Sequence, residues 1–283
     1  MELRSVTILT QDGAKSEAVL CLPDNTPSNI LFLCLPAMGV KAGYYSPLSE
    51  ALTEQGYSVL LCDLRGQGTS DRKVPPSEFG YCEMIELDIS AHIRAAKEIC
   101  PDRDIVLLGH SLGGHLSLLY TAAHPEEVKA VALIASGSVY FRAYPFPQNL
   151  KIWIAIQCTL IMSALFGYFP GHKLGFGGRQ PKTVMGDWAR QGRTGLFEPK
   201  GANFDYEAAM KKITHPVLAI SIEGDNFAPH GAMNHLVEKL NLASLTRIKY
   251  QASEALKPKI DHFRWVKHSQ EILLYLNSWL KSL

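Results

Sequence analysis

The chain has 283 residues, which is enough for one large α/β domain with an insertion or for two small domains. Hydrophobic residues make up 47% of the sequence and charged residues 19%, the balance of a protein that buries a sizeable core. The formal net charge is only +1, and the basic residues are spread along the chain. This excludes the strongly basic face of a nucleic-acid-binding protein, so no nucleic-acid partner is predicted.

Cysteine usage and the N-terminal residues indicate a reducing compartment. The six cysteines form no C-x-x-C pair and no zinc-ligand spacing, so neither a metal site nor a disulfide framework is predicted. The segment Met1–Val6 is too polar to be the apolar part of a signal peptide. Together these features predict a cytoplasmic protein.

The first predicted elements are a hairpin and a series of buried strands. Leu3–Thr10 and Glu17–Leu22 predict an antiparallel hairpin that turns at Gln11-Asp12-Gly13. Five later runs are too short for helices and too uniformly apolar for half-exposed strands, so they predict buried parallel strands. These runs are Ile30–Leu35, Ser58–Cys62, Ile105–Leu108, Ala130–Ala135 and Pro216–Ile222.

Helices are predicted between these strands. Ser46-Pro47 supplies an N-cap and a first-turn proline for a helix that Gly56 closes as its C-cap. An apolar stripe from Ile85 to Cys100 has helical spacing and ends against Pro101. A further helix begins at Ser111 and ends near His124-Pro125. The alternation of strands and helices indicates a mostly parallel sheet covered on both sides.

The C-terminal part repeats this alternation. Leu245–Tyr250 is more polar than the other strands and is predicted to lie nearer an edge of the sheet. After the connection Gln251–Ile260, a last helix carries Leu273, Leu276 and Leu280 on one face. The resulting prediction is an eight-stranded, mostly parallel sheet.

The alternation breaks between about residues 138 and 210, where prolines, glycines and aromatic residues are frequent. Parallel sheets bind ligands at the carboxyl ends of their strands. We therefore predict a core made of residues 1–137 and 211–283, with residues 138–210 inserted as a helical lid over that edge. Within the lid, Ile152–Pro170 is apolar enough to raise the question of a membrane span. His172, Asp187, Trp188 and Arg190 are candidate pocket residues there, although nothing in the sequence fixes their place.

The main chemical signal is the segment Gly109–Gly114, which reads Gly-His-Ser-Leu-Gly-Gly. It follows the predicted strand Ile105–Leu108 and opens a helix, so Ser111 lies on a sharp strand-to-helix turn that exposes its hydroxyl. Gly109 and Gly113 let strand and helix approach closely. The helix N-terminus adds partial positive charge where an oxyanion would form. The pattern favours Ser111 as a nucleophile, whereas the alternative is a glycine-rich turn with an inert serine.

With this motif the chain resembles the α/β-hydrolase superfamily. The segment Asp63–Ser70 is similar to the D-x-R-G-x-G-x-S turn common after the fourth strand of that superfamily. Leu35–Gly39 occupies the place of its oxyanion loop, and Gly43-Tyr44-Tyr45 adds to a likeness with bacterial lipase-like and serine-aminopeptidase-like hydrolases. The resemblance implies the fold, a Ser-acid-His triad in that chain order, and acyl transfer without a metal or organic cofactor. It does not imply a substrate.

The oxyanion loop departs from the superfamily pattern, because Pro36-Ala37 stands where His-Gly is usual. The resemblance then implies that the backbone N–H groups of Met38 and Leu112 form the oxyanion hole, with Ala37 as the alternative to Met38. Arg65, in the turn that follows the fourth strand, is predicted to tie that loop to its surroundings by hydrogen bonds.

The acid of the triad is expected just beyond a buried strand that follows Ser111 in the chain. Pro216–Ile222 is such a strand, and Asp225 follows its turn glycine at the position that matches the family. Glu223 is an alternative acid, and a purely structural role for Asp225 is a second alternative.

Ten histidines compete for the role of the base. Only His262 and His268 follow the last predicted strand, and His262 is better placed because it lies where a loop meets a helix. His268 lies six residues further along, about 120° around the helix axis, so the two cannot face Ser111 from the same helix.

The triad also answers the membrane question, since Ser111 precedes the apolar run and Asp225 and His262 follow it. A single span would separate the nucleophile from the base, so we predict a lid helix and no integral span.

The predicted function is that of a serine hydrolase cleaving carboxylic esters or related small-molecule acyl compounds, with an apolar acyl group. A thioesterase, an amidase or peptidase, an acyltransferase and a non-catalytic receptor are the alternatives. The oligomeric state is left open.

Overall fold

A computed structural model describes residues 1–24, 28–253 and 260–283. Eight strands of the described chain form one sheet. Their order across the sheet is β1 (Glu2–Leu9), β2 (Lys15–Leu22), β4 (Ser58–Leu61), β3 (Ile30–Leu35), β5 (Asp104–His110), β6 (Ala130–Ile134), β9 (Pro216–Ile222) and β10 (Ser244–Tyr250). Strand β2 is antiparallel to both of its neighbours, and the remaining neighbouring strands are parallel. This confirms the predicted eight-stranded, mostly parallel sheet.

The predicted strands are confirmed with shifts of a few residues at their ends. The hairpin consists of β1 (Glu2–Leu9) and β2 (Lys15–Leu22), and β1 forms one edge of the sheet. The more polar strand β10 (Ser244–Tyr250) forms the other edge, as predicted. The buried parallel strands are β3 (Ile30–Leu35), β4 (Ser58–Leu61), β5 (Asp104–His110), β6 (Ala130–Ile134) and β9 (Pro216–Ile222).

Helices cover both faces of the sheet. Successive apolar residues of each buried strand point to opposite faces, so they belong to two hydrophobic core clusters, one on each face. The helices outside the insertion are α1 (Ser46–Glu54), α2 (Tyr81–Glu83), α3 (Ser90–Ile99), α4 (Leu112–Ala123), α8 (His230–Val237) and α9 (Gln270–Leu280). As predicted, α9 buries Leu273, Leu276 and Leu280.

Two helix boundaries differ from the sequence prediction. Helix α1 has Tyr45 rather than Ser46 as its N-cap, because a 3₁₀ turn over Ala42–Tyr45 runs directly into it. The helix predicted from Ile85 begins at Tyr81 and passes through a π-helical segment, Met84–Ile89. The carboxylate of Asp187 accepts the Tyr81 N–H at 2.9 Å, so a residue far along the chain supports this early start.

Between β6 and β9 the chain leaves the central sheet and forms three α-helices and a separate two-stranded sheet. This segment contains α5 (Gln148–Phe166), a short antiparallel pair of β7 (Tyr168–Pro170) and β8 (Arg179–Pro181), α6 (Lys182–Thr194) and α7 (Tyr206–Met210). Helix α5 packs against α6 and β7. It is also long and apolar enough to cross a membrane, with a mean hydropathy of 1.5 and only 17% of its most apolar 18-residue stretch buried. The predicted connection Gln251–Ile260 lies largely outside the described residues.

Candidate active site

Ser111 lies at the turn between the end of β5 and the start of α4. Its backbone has φ 53° and ψ −115°, and Ser111 and Ala135 are the two non-glycine residues of the described chain with positive φ. Such a conformation costs an L-residue about 1–3 kcal/mol and is found mainly where function requires it. The geometry is that of the strand-to-helix turn predicted from the sequence.

Glycine is required on both sides of this turn. A Cβ on Gly109 would lie 2.4 Å from the Gly114 Cα atom, and a Cβ on Gly113 would lie 2.1 Å from the Leu35 carbonyl oxygen. Neither contact is sterically possible without moving backbone. The two glycines therefore let β5, α4 and the end of β3 meet at Ser111, as the sequence predicted.

The second part of the site is a buried pair formed by Asp225 and His262. Asp225 Oδ2 lies 2.7 Å from His262 Nδ1, and both side chains are almost completely buried. Asp225 Oδ1 accepts the backbone N–H groups of Phe227 at 2.7 Å and Ala228 at 3.0 Å. A carboxylate can only accept hydrogen bonds, so Nδ1 of His262 carries its proton and Nε2 is left with a lone pair.

The alternative acid and base lie elsewhere. Glu223 is exposed, and its carboxylate accepts a hydrogen bond from the Gln251 side chain at 3.2 Å. His268 ends a 3₁₀ helix, Arg264–His268, and does not line the cavity that Ser111 and His262 share. The structure thus brings His262, and not His268, together with Asp225.

The predicted oxyanion-hole groups also meet at this place. Within the described chain, the backbone N–H groups of Met38 and Leu112 donate no hydrogen bond to protein, and both residues line the same cavity as Ser111. By contrast, the Ala37 N–H donates to the Tyr45 hydroxyl at 2.9 Å. This bond occupies the alternative donor and favours Met38 over Ala37.

The two tyrosines of Gly43-Tyr44-Tyr45 connect the parts of the site. The Tyr45 hydroxyl accepts the Ala37 N–H and shares a hydrogen bond of 2.7 Å with His110 Nδ1. Burial raises the pKa of Tyr45 and lowers the pKa of His110 well below its usual range, so both groups stay neutral. Tyr44 donates to the backbone carbonyl of Phe263 at 2.9 Å, next to His262. The sequence alone marked these tyrosines only through the family likeness.

The segment Asp63–Ser70 is hydrogen-bonded to the oxyanion-loop region that follows β3. Asp63 accepts the Ala42 N–H at 2.7 Å and the Thr69 N–H at 2.8 Å, which joins this turn to the chain that follows β3. The buried guanidinium of Arg65 donates to Asp88 at 2.8 Å and to Asp12 at 3.1 Å. The prediction that Arg65 ties the loop to its surroundings is confirmed.

A cavity of about 310 Å³ opens at Ser111 and His262. Its walls are mainly apolar, which suits an apolar ligand portion. Of the four insertion residues considered from the sequence, Trp188 lines it, whereas His172 and Arg190 are exposed and Asp187 is buried in backbone contacts. Burial raises the pKa of the Asp187 carboxyl. Other residues line the cavity that the sequence did not indicate, and they include Tyr144, Ile152, Met162, Phe176, Phe227 and Phe263.

The strand order, the single antiparallel strand β2 inside the sheet and the strand-to-helix turn after β5 are those of the α/β-hydrolase fold. Residues 30–155 match the sequence model of the family described as the alpha/beta hydrolase fold. This match covers less than half of the chain, and together with the sheet it shows the α/β-hydrolase fold.

Among the characterised proteins it resembles, monoglyceride lipase of Rattus norvegicus is 29% identical over 114 residues, which is 40% of this chain and 36% of that protein. Lysophospholipase L2 of Escherichia coli K12 is 33% identical over 94 residues, or 32% of this chain and 28% of that protein. The matches therefore span about a third of the length of these relatives. An esterase of Exiguobacterium antarcticum superimposes with a TM-score of 0.64 at 19% identity, over 98% of this chain and 100% of that one.

Proposed function

We propose that this protein is a serine hydrolase that cleaves carboxylic esters with an apolar acyl group through an acyl-enzyme. The observation that carries the proposal is that Ser111, on its strained turn, lines one apolar cavity with His262, whose Nδ1 is held by Asp225. The names of the relatives, a monoglyceride lipase, a lysophospholipase and an esterase, support ester hydrolysis.

In this mechanism Ser111 Oγ attacks the ester carbonyl while His262 Nε2 takes the hydroxyl proton. The oxyanion that forms accepts hydrogen bonds from the N–H groups of Met38 and Leu112. Collapse of this intermediate breaks the bond to the alcohol, which leaves with the proton from His262. A water molecule then attacks the acyl-enzyme, again losing its proton to His262, and releases the carboxylic acid and free Ser111.

Residues 138–210 act as a lid in this proposal, with residues 1–137 and 211–283 forming the core. The support is that α5 and the segments after it supply much of the cavity wall. Ile152, Met162, Phe176 and Trp188 all line the cavity and all belong to the insertion. A cytoplasmic location is a further prediction that nothing in the fold tests.

The substrate class is tested with p-nitrophenyl esters of graded acyl length, together with matched thioesters and amides. We expect kcat/KM to rise from acetyl to octanoyl esters, because each methylene buried in the cavity contributes up to about 0.8 kcal/mol, or about fourfold. A steady fall over that series would mean that the apolar walls serve packing and not substrate. Turnover of thioesters or amides but not esters would move the protein to one of those classes, and turnover of none would favour a receptor.

A pair of variants on α5 localises this effect. Ile152 lines the cavity, whereas Ile154 is 52% exposed and does not. Ile152→Asn is expected to lower kcat/KM for octanoyl esters by about tenfold while changing acetyl esters little, because it replaces an apolar wall by a polar one. Ile154→Asn is the matched control and should leave both rates unchanged. Equal behaviour of the two variants would contradict the assignment of this wall to the acyl group.

The oxyanion loop gives a separate test, because Gly39 has φ +76° and a Cβ there would lie 2.4 Å from the Gly177 carbonyl carbon. Gly39→Ala should displace the neighbouring Met38 N–H and lower kcat by about 10²-fold or more, the usual cost of one oxyanion donor. Gly43→Ala is the control, since a Cβ there meets nothing within 4 Å. If Gly39→Ala and Gly43→Ala have the same kcat and an unchanged KM, the Met38 N–H is not part of the oxyanion hole.

A further inference from the structure

Helix α5 exposes a row of large apolar side chains, although an ordinary surface helix exposes mainly polar ones. Its buried residues are Ile156 and the two small polar residues Thr159 and Ser163. Large apolar side chains point to solvent at helical spacing, and Leu165 is 76% exposed. We call this stripe the outer α5 face, formed by Leu150, Ile154, Ile161 and Leu165.

The outer α5 face continues into the cavity. Ala155 and Cys158, on the same helix, are exposed and also line the cavity. Leu174, beyond α5, does the same with 56% of its surface exposed. An apolar surface therefore runs from the outside of the helix to the space next to Ser111.

Cations border this surface, and acidic residues are absent from the sequence around it. Residues 128–186 include no Asp or Glu, although the whole chain has 27 acidic and 28 basic residues. Within the described chain, none of the Lys and Arg side chains of residues 138–186 forms an ion pair. These cations are Arg142, Lys151, Lys173, Arg179 and Lys182.

Three of these cations lie next to the apolar surface. Lys151 is on α5 itself, and Lys173 adjoins Leu174 at the cavity rim. The Arg142 guanidinium lies over the Phe141 ring, whose centroid is 5.0 Å from that of Trp153 on α5. The positive charge is thus close to the exposed apolar side chains.

We propose that the outer α5 face is a docking surface for a lipid bilayer that carries anionic headgroups. Apolar side chains bordered by lysine and arginine are the arrangement that binds in the interfacial region of such a bilayer. A second copy of this chain fits less well, because two such faces in contact would bring their uncompensated cations together. A membrane span does not fit, because α5 packs on α6 and β7, and Ser111 and His262, on either side of it in the chain, line one cavity.

The docking surface does not depend on the proposed hydrolysis. If both hold, docking places the cavity mouth against the bilayer, so that an apolar acyl chain moves into the site without crossing water. The binding experiment therefore uses both the intact chain and the Ser111→Ala variant, which should bind equally. Failure of hydrolysis and failure of docking are then separate results.

The test is flotation of the full chain with vesicles of phosphatidylcholine alone or of phosphatidylcholine mixed with phosphatidylglycerol. We expect strong flotation only with the anionic vesicles, weakened by high salt because salt screens the cations. Ile154→Gln combined with Leu165→Gln should reduce flotation at least about tenfold, since two apolar side chains no longer enter the bilayer. Leu274→Gln, at a position on α9 that is 69% exposed, is the control and should float like the parent chain.

The charges are tested in the same way. Lys151→Gln combined with Lys173→Gln should weaken binding to anionic vesicles by about fivefold for each charge removed. Lys281→Gln removes a charge at an exposed position directly after α9, far from the insertion in sequence, and should not weaken binding. Hydrolysis of a water-soluble short-chain ester should be unchanged in all these variants, which shows that they are folded.

Several results would overturn the proposal. Flotation that survives the Ile154→Gln and Leu165→Gln changes would place the binding elsewhere. Equal flotation with both vesicle types would show that anionic headgroups are not required for binding. A dimer in light scattering that dissociates in the same double variant would assign the outer α5 face to a second copy, and resistance to alkaline extraction would indicate a span.

Discussion

Replacing Ser111 by alanine is expected to abolish covalent labelling by a fluorophosphonate and to lower kcat by about 10⁶-fold. The reason is that the proposed acyl-enzyme forms on Ser111 Oγ, and the loss of a triad nucleophile leaves only binding and the oxyanion hole to assist water. The measurement is intact-protein mass after labelling, together with turnover of the best ester from the acyl series.

Ser117→Ala provides the control on the same helix. The Ser117 hydroxyl donates to the Gly113 carbonyl at 2.7 Å and is buried, so it is not a candidate nucleophile. This variant should still be labelled and should keep its turnover. If the Ser111→Ala protein is labelled or turns over normally, the proposed role of Ser111 is wrong. If the unsubstituted protein is labelled at Ser111 but hydrolyses no ester, Ser111 is a nucleophile and the proposed substrate class is wrong.

The second large effect concerns the base. His262→Ala should lower kcat by about 10⁶-fold, because the general base works together with the nucleophile as one unit. His268→Ala should change kcat little, since His268 does not line the cavity and the partner of Asp225 is His262. The reverse pattern, with both variants folded by circular dichroism, would transfer the role to His268.

Asp225→Asn extends this test to the orienting acid. We expect a loss of about 10⁴-fold in kcat, because an amide can donate a hydrogen bond to Nδ1 and so stabilise the wrong tautomer of His262. A Glu223→Gln variant is the control, because Glu223 is exposed and contacts Gln251 instead. A loss with Glu223→Gln but not with Asp225→Asn would assign the acid to Glu223.

Features that depend on a local pattern could be predicted from the amino-acid sequence alone. The runs of buried parallel strands, the polar edge strand β10 and the glycines around Ser111 follow from short segments, because strand burial and a tight turn each constrain a few consecutive residues. The order of Ser111, Asp225 and His262 came from the family likeness. The structure then brought Asp225 to His262, although 36 residues separate them in the chain.

Features that depend on residues far apart in the chain could be read only from the folded structure. The Ala37 N–H donates to Tyr45, which favours Met38 as the donor in the oxyanion hole. The Asp187 carboxylate accepts the Tyr81 N–H and supports the start of the helix at Tyr81. The folded structure also decided which of the apolar side chains of α5 are exposed, because hydropathy gives the amount of apolar surface and not the direction that each side chain faces. Hydrogen bonds and burial of this kind join residues far apart in sequence, and no local periodicity encodes which of them meet.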